Sequence, residues 1–453
     1  MTLIGTQLDG IKGRVITPES PEYDEARQLF GGGFDRHPAL IVRVANDDDV
    51  ARAIAYARAS RLPLAVRSGG HSGAGHSVWD GALVIDLRDM RALEIDPQAR
   101  TVWAEAGLTA IEVTKAVGEH GLVLGYGDTG SVGIGGITLG GGVGYLARKY
   151  GLTIDSLIAA DLVLADGRRV RVDEKHEPDL FWAIRGGGGN FGVATRFEYR
   201  LQPLPQIVGG FLFLPATADN VKRFMDACAA APEELTVIAN VMPAPPMPMI
   251  PAEAHGKPSI FAIVAYAGTG EAADRALAPL RAVATPLADL LHLMPYAEIY
   301  PPDDPSYRPI AANRTLFVDA FDRESAESVM KFIAEPTSTD FKVAQLRVLG
   351  GAVARVPNEA TAYGHRQRKL MINIAALVKD NNEVAAHADW IKRFEAALQR
   401  GPEGAYVGFL VDEGGARVRV AYPGPTWDRL CEVKRRYDPD NVFRLNQNVG
   451  AAS

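Results

Sequence analysis

Cysteine is almost absent from this chain of 453 residues, which contains only Cys228 and Cys431. Two cysteines are too few for a disulfide framework or for a cysteine-based metal cluster. Long apolar runs are missing as well: no stretch reaches the roughly 18 consecutive apolar residues of a membrane-spanning helix, so we expect none. The opening residues, MTLIGTQLDGIKG, lack the basic and apolar regions of a signal peptide, and we therefore expect a cytoplasmic protein.

Positively charged residues are fewer than negatively charged ones. Lysine and arginine total 48 against 55 aspartate and glutamate residues, which gives a formal net charge of -7 with no basic block. A mildly acidic chain of this kind is a poor partner for nucleic acids and anionic membranes, and we expect neither. The hydrophobic fraction of 47% and the charged fraction of 23% are typical of globular proteins. The length exceeds that of one ordinary hydrophobic core, which predicts at least two domains.

Several catalytic signatures are missing. The chain has no G-x-x-x-x-G-K-[ST] phosphate loop, no G-x-S-x-G elbow and no HExxH helix. Gly187, Gly189 and Gly192 match G-x-G-x-x-G, but the strand-like run VATRFEYRL follows them where a dinucleotide fold needs a helix. His71 and His76 lie near each other without a clustered third ligand, so we expect no metal site.

Strand-like and helix-like runs alternate from Pro38 onward. A strand, a helix with Asn46 as its capping residue and a second strand predict a βαβ unit that ends in a glycine-rich loop. Further along, Asp166-Gly167 predicts a hairpin turn. The predicted elements of this part are the strands ALIVRV, LPLAVRSGG, GALVIDL, TVWAEAG, LVLADGRRVRV and VATRFEYRL and the helices NDDDVARAIAYARAS and PDLFWAIRGGGG.

The sequence pattern changes after Pro203. Strand-like runs and amphipathic helices alternate again, which predicts a second α+β domain. The proline-rich run PAPPMPMIPAE is predicted to be a loop, and the helix PTWDRLCEVKRRY lies near the C-terminus. We therefore divide the chain into a first domain at 1–205, a second at 206–410 and a C-terminal segment at 411–453. The predicted elements of the second domain include the strands GGFLFLP and SIFAIVAYAG and the helices ATADNVKRFMDACAAA and GEAADRALAPLRAVA.

Two glycine-rich segments stand out in the first domain, at residues 67–77 and 125–151. Apolar residues interleaved with the glycines of the second segment indicate a packed structure rather than a flexible linker. Successive backbone N–H groups bind phosphate well, so two such edges in one domain predict a site for a diphosphate nucleotide. From spacing alone, His71 in the first segment could be a core residue, a metal ligand, a base or an attachment point.

Four motifs, in this order along the chain, carry a resemblance to a known family. The chain resembles the berberine-bridge-enzyme-like flavin oxidases of the vanillyl-alcohol-oxidase superfamily, and in particular the bacterial branch that includes 6-hydroxy-D-nicotine oxidase. The resemblance implies an α+β fold: a PCMH-type FAD-binding domain of two subdomains, a substrate domain with an antiparallel sheet flanked by helices, and a C-terminal tail that returns to the FAD domain. The motifs are PLAVRSGGHS, GSVGIGGITLGGGVGYLARKYGLTID, RGGGGNFGVAT and YDPDNVFRLNQNV.

The resemblance also implies the cofactor and its contacts. His71 falls where the family's histidine bonds to the 8α-methyl group of the flavin ring, so FAD with this covalent link is the expected cofactor. The positions implied to bind the cofactor are Arg67, Ser68, Gly69, Gly70, His71, Ser72, His76, Thr129, Val132, Gly133, Gly136, Leu139, Gly140, Gly141, Gly144, Val193, Asn446 and Gln447.

The chain departs from the family pattern beside the flavin ring. Many relatives carry a cysteine that forms a second flavin bond, and Thr129 stands at that position here. A threonine cannot form the thioether, so we expect a single covalent link. Three residues further on, relatives with valine are oxidases and those with bulkier residues are dehydrogenases. Val132 therefore favours an oxidase.

The proton acceptor is the least determined element of the predicted site. Tyr422 matches the first tyrosine of a pattern that supplies the base in some relatives, but it fits a packing tyrosine beside a turn equally well. Tyr363, His365, Arg366 and Asn373 are further candidates from the second domain. We expect an FAD oxidase that takes hydride from a C–H next to O–H or N–H of a small organic substrate and reduces oxygen to hydrogen peroxide. The alternatives are a flavin dehydrogenase of the same fold and, as a third interpretation, a flavin-binding protein without turnover.

Overall fold

The part of the chain that the structure describes contains four β-sheets with helices on their flanks. The computed structural model describes residue 8 and residues 10–302, 304, 306–339 and 341–450. Within these residues, no helix is both long and apolar enough to cross a lipid bilayer.

The first sheet has four strands in the order β1-β2-β4-β3. β2 and β3 both run parallel to β4, and β1 runs antiparallel to β2. The predicted βαβ unit is confirmed, with β4 inserted between its two strands. The Asn46 side chain accepts a hydrogen bond from the Asp49 N–H at 3.1 Å, which confirms the predicted cap. The elements are β1 (Arg14–Ile16), α1 (Tyr23–Ala26), β2 (Leu40–Arg43), α2 (Asp47–Ala59), β3 (Leu64–Arg67) and β4 (Leu83–Asp86).

The second sheet is antiparallel, in the order β5-β6-β10-β8-β9. The predicted hairpin at Asp166-Gly167 joins β8 to β9, and β10 is the strand predicted after the glycine run. A two-stranded sheet pairs β7 with β11. The elements are β5 (Leu93–Asp96), β6 (Thr101–Glu105), α3 (Ala110–Gly118), β7 (Leu122–Val123), α4 (Ile134–Gly140), α5 (Ala147–Tyr150), α6 (Thr153–Ser156), β8 (Leu157–Val163), β9 (Arg169–Val172), α7 (Pro178–Ile184), β10 (Val193–Arg200) and β11 (Gln202–Pro203).

Helix α4 lies inside the glycine-rich segment, where the sequence analysis predicts packed backbone but no helix. Glycine is a poor helix former, so the local pattern does not favour this element. Ile134 and Thr138 are fully buried on one side of it, and the Thr138 hydroxyl shares a hydrogen bond of 2.7 Å with the Tyr199 hydroxyl on β10. Tertiary packing therefore forms the helix against its intrinsic propensity.

The third large sheet is antiparallel and has eight strands, in the order β15-β12-β14-β13-β18-β19-β17 with β16 beside β12. Its elements begin with β12 (Ile207–Pro215), α8 (Ala218–Ala230), β13 (Leu235–Pro243), β14 (Pro258–Tyr266), α9 (Glu271–Arg281), β15 (Ala288–Asp289) and β16 (His292–Met294). They continue with β17 (Ile310–Val318), α10 (Arg323–Ala334), β18 (Lys342–Val348), α11 (Ala352–Arg355), β19 (Leu370–Val378), α12 (Asn381–Ala386) and α13 (Ala388–Leu398). The proline-rich run is a loop with one short 3-10 turn, as predicted.

The two faces of this sheet differ in what covers them. One face is apolar and packs against α8, α9, α10 and α13, with Phe224, Phe332 and Phe394 fully or almost fully buried in that layer. The opposite face packs against the first domain, where Ile238 on β13 clusters with Tyr145 of the segment between α4 and α5 and with Tyr300. The second face is therefore the one that can contribute to a site between the sheets.

The C-terminal segment folds back onto the first two sheets. Its helices are α14 (Gly415–Ala421) and α15 (Pro425–Tyr437). Buried side chains of α15, such as Leu430 and Val433, belong to the same hydrophobic cluster as the first two sheets. The tail thus returns to the first domain, as the resemblance implies, while the boundaries at 205 and 410 stay a prediction.

Candidate functional site

A cleft of about 410 Å³ lies between the two glycine-rich segments. The loop after β3 forms one wall, and α4 with the loop before it forms the other. The turn after α7 and the C-terminal segment close the cleft at its sides. Most of the predicted cofactor-binding residues line it: Ser68, Gly69, Gly70, His71, Ser72, His76, Thr129, Val132, Gly133, Gly136, Leu139, Gly140, Val193, Asn446 and Gln447.

Three predicted residues, Arg67, Gly141 and Gly144, do not line the cleft, and their assignment to the cofactor stays a prediction. The Arg67 guanidinium is buried and donates to the carbonyl of Ala26 at 2.5 Å. A Cβ at Gly141, whose φ is 125°, would come within 3.1 Å of the Tyr363 ring. A Cβ at Gly144 would lie 2.0 Å from the Tyr126 carbonyl oxygen. The two glycines are thus needed for close backbone packing, and the arginine holds a neighbouring segment.

The two glycine-rich walls touch each other at the floor of the cleft. A Cβ at Gly69 would lie 2.2 Å from the Gly133 nitrogen, and one at Gly133 would lie 2.1 Å from the Gly69 nitrogen. The Ser68 hydroxyl joins the walls by accepting from the Gly135 N–H at 3.2 Å. A Cβ at Gly136, by contrast, would meet nothing within 4 Å, so this glycine borders open space.

The lining suits a dinucleotide that carries a flat apolar ring system. Val66, Leu87 and Ile137 give apolar walls, while the glycines expose backbone along the edges. Backbone amides bind phosphate oxygens, and apolar walls bind aromatic rings. The space beside the Gly136 backbone is open, and a β-carbon would occupy it. The missing side chain therefore lets a bulky ligand approach the backbone closely.

The two histidines of the first wall have different surroundings. The His71 imidazole stacks on the ring of Phe30, with centroids 4.1 Å apart and planes inclined by 16°. His76 is largely enclosed, and burial together with the nearby Arg36 charge lowers its pKa to about 4. At neutral pH His76 is therefore uncharged.

The end of the cleft that faces the eight-stranded sheet carries residues that the sequence analysis does not predict. Asp128 and Tyr406 line this end, and Phe409 lies beside them. Arg347 on β18 pairs with Asp128 and lies over the Phe409 ring at 4.9 Å. These contacts join the sheet to the cleft.

A row of polar side chains on the sheet continues from this junction. Gln345 pairs in register with Asn240 on β13 and with Asn373 on β19, so the three side chains share one face. The Gln345 amide donates to Asn240 at 3.1 Å, and its oxygen accepts from Arg347 Nε at 3.0 Å. The amide row (Asn240, Gln345 and Asn373) is therefore uncharged, and Arg347 connects it to Asp128 in the lining of the cleft.

Tyr422 lies outside the lining of the cleft. It is almost fully buried, and within the described residues its hydroxyl has no hydrogen-bond partner. Burial raises its pKa above the ordinary value, which makes the phenol harder to ionise. The assignment of Tyr422 as the base stays a prediction, and this environment does not favour it.

Two other candidates from the second domain serve the core instead. Arg366 is fully buried and makes two hydrogen bonds to Asp155, at 2.7 and 2.8 Å. His365 stacks on Phe317 at 4.6 Å, and burial lowers its pKa to about 4. Neither side chain lines the cleft. The neighbouring residues His365 and Arg366 therefore stabilise the core in this structure and do not contact the cleft.

Comparison with known proteins agrees with this architecture. Residues 38–173 match the FAD binding domain family, and residues 405–450 match the family described as berberine and berberine like. The chain is 30% identical to (R)-6-hydroxynicotine oxidase of Paenarthrobacter nicotinovorans, over 97% of each chain.

Solved structures give the same result. The crystal structure of 6-hydroxy-D-nicotine oxidase from Arthrobacter nicotinovorans has a TM-score of 0.85 and 27% identity, with 98% of this chain and 99% of that chain covered. BBE-like 1 of Physcomitrella patens has a TM-score of 0.87 at 21% identity, with 99% of each chain covered, and supports the fold.

The fold, the glycine-walled cleft and these matches define a flavoprotein with a PCMH-type domain. The chain belongs to the berberine-bridge-enzyme-like family of FAD-linked oxidoreductases, and FAD is its cofactor. The resemblance, the fold class, the enzyme class and the cofactor predicted from the sequence are thereby confirmed.

Proposed function

We propose that this protein is an oxidase that holds FAD through one covalent bond, from the His71 imidazole. The observation that carries the proposal is the position of His71 on the cleft wall, between the two glycine-rich segments. Thr129 lines the same cleft and offers no sulfur for a second bond. When bound, the flavin accepts hydride from a C–H bond and passes the electrons to dioxygen, which yields hydrogen peroxide.

The chain's own residues bind and orient the cofactor in this proposal. The glycines and serines of the first wall hold the diphosphate, and Leu139 and Val193 exclude water from the ring systems. Val132 lies in the lining as a small apolar side chain, which leaves room for oxygen at the ring. The covalent tether keeps the ring in one position, so that hydride transfer starts from a preorganised geometry.

The substrate binds between the amide row and the end of the cleft that faces the eight-stranded sheet, where the flavin ring lies in this proposal. Carboxamides both donate and accept hydrogen bonds and carry no charge. The neighbouring Arg347 charge is already neutralised by Asp128. A substrate with hydroxyl or neutral amine groups is therefore favoured over a carboxylate or an ammonium, because the amide row and the Arg347–Asp128 pair offer no unpaired charge to a charged group.

Acid precipitation of the purified protein tests the covalent link. We expect the flavin to remain in the wild-type pellet and to move to the supernatant in His71→Ala. Colourless wild-type pellets would refute the tether. Flavin that remains bound to His71→Ala before acid treatment is the control, because it shows that the cleft still forms without the covalent bond.

Reoxidation of the reduced enzyme in air tests the oxidase assignment. Full recovery of the oxidised flavin absorbance within seconds supports an oxidase, whereas recovery over hours indicates a dehydrogenase. Val132→Ile is expected to slow this step because the larger side chain narrows the approach of oxygen. An unchanged rate in that variant would contradict the role given to Val132.

Sets of compounds with one carbon skeleton test the substrate class. Each set contains an alcohol, the corresponding primary amine and the same alcohol with a carboxylate on a carbon away from the reacting C–H, and flavin reduction is followed without oxygen. We expect reduction by the alcohols without a carboxylate and by amines in their neutral form. Faster reduction by the carboxylate-bearing alcohols would refute an uncharged site.

A further inference from the structure

The segment that precedes β2 packs directly on the loop that carries His71. The Phe30 ring covers one face of the imidazole, with the two planes nearly parallel. The Phe30 backbone N–H also donates to the Gly70 carbonyl at 3.2 Å, so main chain and side chain contact neighbouring residues of the loop. Phe30 itself lines the cleft.

Arg36 fastens the same segment to the far end of the loop. Its guanidinium donates to the carbonyls of Gly75 at 2.6 Å, Val78 at 3.0 Å and Ala74 at 3.2 Å. It also lies over the Trp79 ring at 3.9 Å. Three carbonyl oxygens held by one cation leave this end of the loop little freedom to move.

Arg67 fastens the segment at its start, through its hydrogen bond to the Ala26 carbonyl. Residues 26–36, here called the N-terminal brace, are thus attached before and after His71. Because one attachment is to the end of β3 and the other to residues 74–78, the brace is held on both sides of His71 and keeps Phe30 against the imidazole.

We infer that Phe30 is a positioning residue for His71 and holds the imidazole in the orientation needed to bond to FAD. The inference rests on the covalent link proposed above. An imidazole that turns about its Cα–Cβ and Cβ–Cγ bonds presents a ring nitrogen to the reacting carbon only part of the time. Stacking on a flat ring restricts both rotations and keeps the ring nitrogens at the edge of the pair.

Phe30 assists an oxidative bond formation between the His71 imidazole and the flavin. One hydrogen of the imidazole nitrogen and one hydrogen of the flavin 8α-methyl group are replaced by a single nitrogen–carbon bond. The two electrons and two protons released pass to the flavin itself and then to dioxygen, which leaves as hydrogen peroxide. Phe30 exchanges no proton or electron and acts only through the orientation of His71.

The experiment compares covalent and total flavin in variants isolated as holoenzyme. Phe30→Ala removes the stack, Phe30→Leu keeps much of the volume without a flat ring, and Phe30→Tyr keeps the ring. Phe341→Ala is the control, since Phe341 is an exposed phenylalanine on the second domain. Flavin is measured before acid treatment and again in the washed pellet, and thermal melting reports whether each variant is folded.

We expect the covalent share of bound flavin to fall by at least about fivefold in Phe30→Ala and Phe30→Leu, while total bound flavin stays near the wild-type level. Phe30→Tyr should restore the covalent share, and Phe341→Ala should leave it unchanged. A general loss of structure would lower both flavin measures and would not be rescued by tyrosine. If Phe30→Ala does not fold, the volume-preserving Phe30→Leu decides.

Two results overturn the inference in distinguishable ways. A folded Phe30→Leu with the wild-type covalent share refutes the role of Phe30 and leaves the tether in place. A wild-type pellet without flavin refutes the tether itself, and the inference falls with it.

Discussion

Lys434→Met is expected to loosen the C-terminal segment from the cleft. Lys434 lies on α15, and its buried ammonium donates to the carbonyls of Asn190 at 2.7 Å and Phe443 at 2.9 Å. It also donates to the Asp438 carboxylate at 2.7 Å. Because Asn190 and Phe443 both line the cleft, one cation joins the glycine turn after α7 to the tail.

The magnitude follows from what the substitution leaves behind. Methionine fills the same space but leaves the fully buried Asp438 carboxylate without its counter-charge. Breaking a buried ion pair by removing one partner costs about 3–5 kcal/mol. Asp438 keeps backbone N–H donors from Val442 at 2.8 Å and Phe443 at 2.9 Å, and burial already lowers the pKa of Lys434. Both facts place the expected cost at the lower end, about 3 kcal/mol.

Urea unfolding of the holoenzyme, followed by circular dichroism and by flavin release, measures this cost. Arg435→Gln is the matched control, because Arg435 is the exposed next residue of the same helix. The double variant Lys434→Met with Asp438→Leu should lose less than the two single variants together, since no buried charge is left unpaired. A loss below about 1 kcal/mol in Lys434→Met, similar to the control, would refute the reasoning.

Three further predictions concern pH, the cleft wall and the junction with the sheet. The folded state excludes a proton from His365, whose pKa is about 4, while the unfolded chain binds one below about 6.5. Stability contributed by His365 is therefore complete above pH ~6.5 and is lost as the pH falls toward 4, by up to ~3 kcal/mol, and unfolding of His365→Phe should be less pH-dependent. Gly136→Ala should preserve the fold but lower the flavin content, because its β-carbon would enter the cleft. Gly118→Ala is the control: at the end of α3 its β-carbon also meets no described atom within 4 Å, and the flavin content should not change. Equal flavin content in the two variants would contradict the role given to Gly136. Arg347→Gln and Asp128→Asn should couple by about 1–3 kcal/mol in a double-mutant cycle of unfolding, and additivity within about 0.5 kcal/mol would contradict the ion pair.

The predicted site is most complete where its residues are contiguous in sequence. Ser68 to Ser72 follow a strand that local alternation identifies, and their glycines mark a loop that can approach a ligand. Gly141 and Gly144 share the same glycine pattern, yet the cleft does not include them. Glycine density marks close approach, but it does not distinguish approach to a ligand from approach to the protein's own backbone.

Residues that the sequence analysis misses come from distant parts of the chain. Phe30 lies in the loop before β2 and belongs to no motif. Asp128 directly precedes Thr129, the position where many relatives have a cysteine, but it belongs to no motif itself. Arg347 reaches Asp128 across 219 residues of sequence. No local periodicity predicts such a contact, because it depends on how the eight-stranded sheet packs against the loop that contains Asp128.

The sequence by itself determined the helices α2 and α7 and the central strands of the first domain, the two glycine-rich segments and, through its motifs, the flavin-binding family. Backbone freedom and side-chain periodicity are properties of neighbouring residues, so they are present before the chain folds. Only the tertiary structure decided that β4 lies between β2 and β3 and that α4 forms from a glycine-rich run. It also decided that Phe30 lines the cleft, while Arg347 and Lys434 bind the lining residues Asp128 and Asn190 from outside it. Those contacts join elements far apart in the chain, and their free energy exists only once the sheets are packed together.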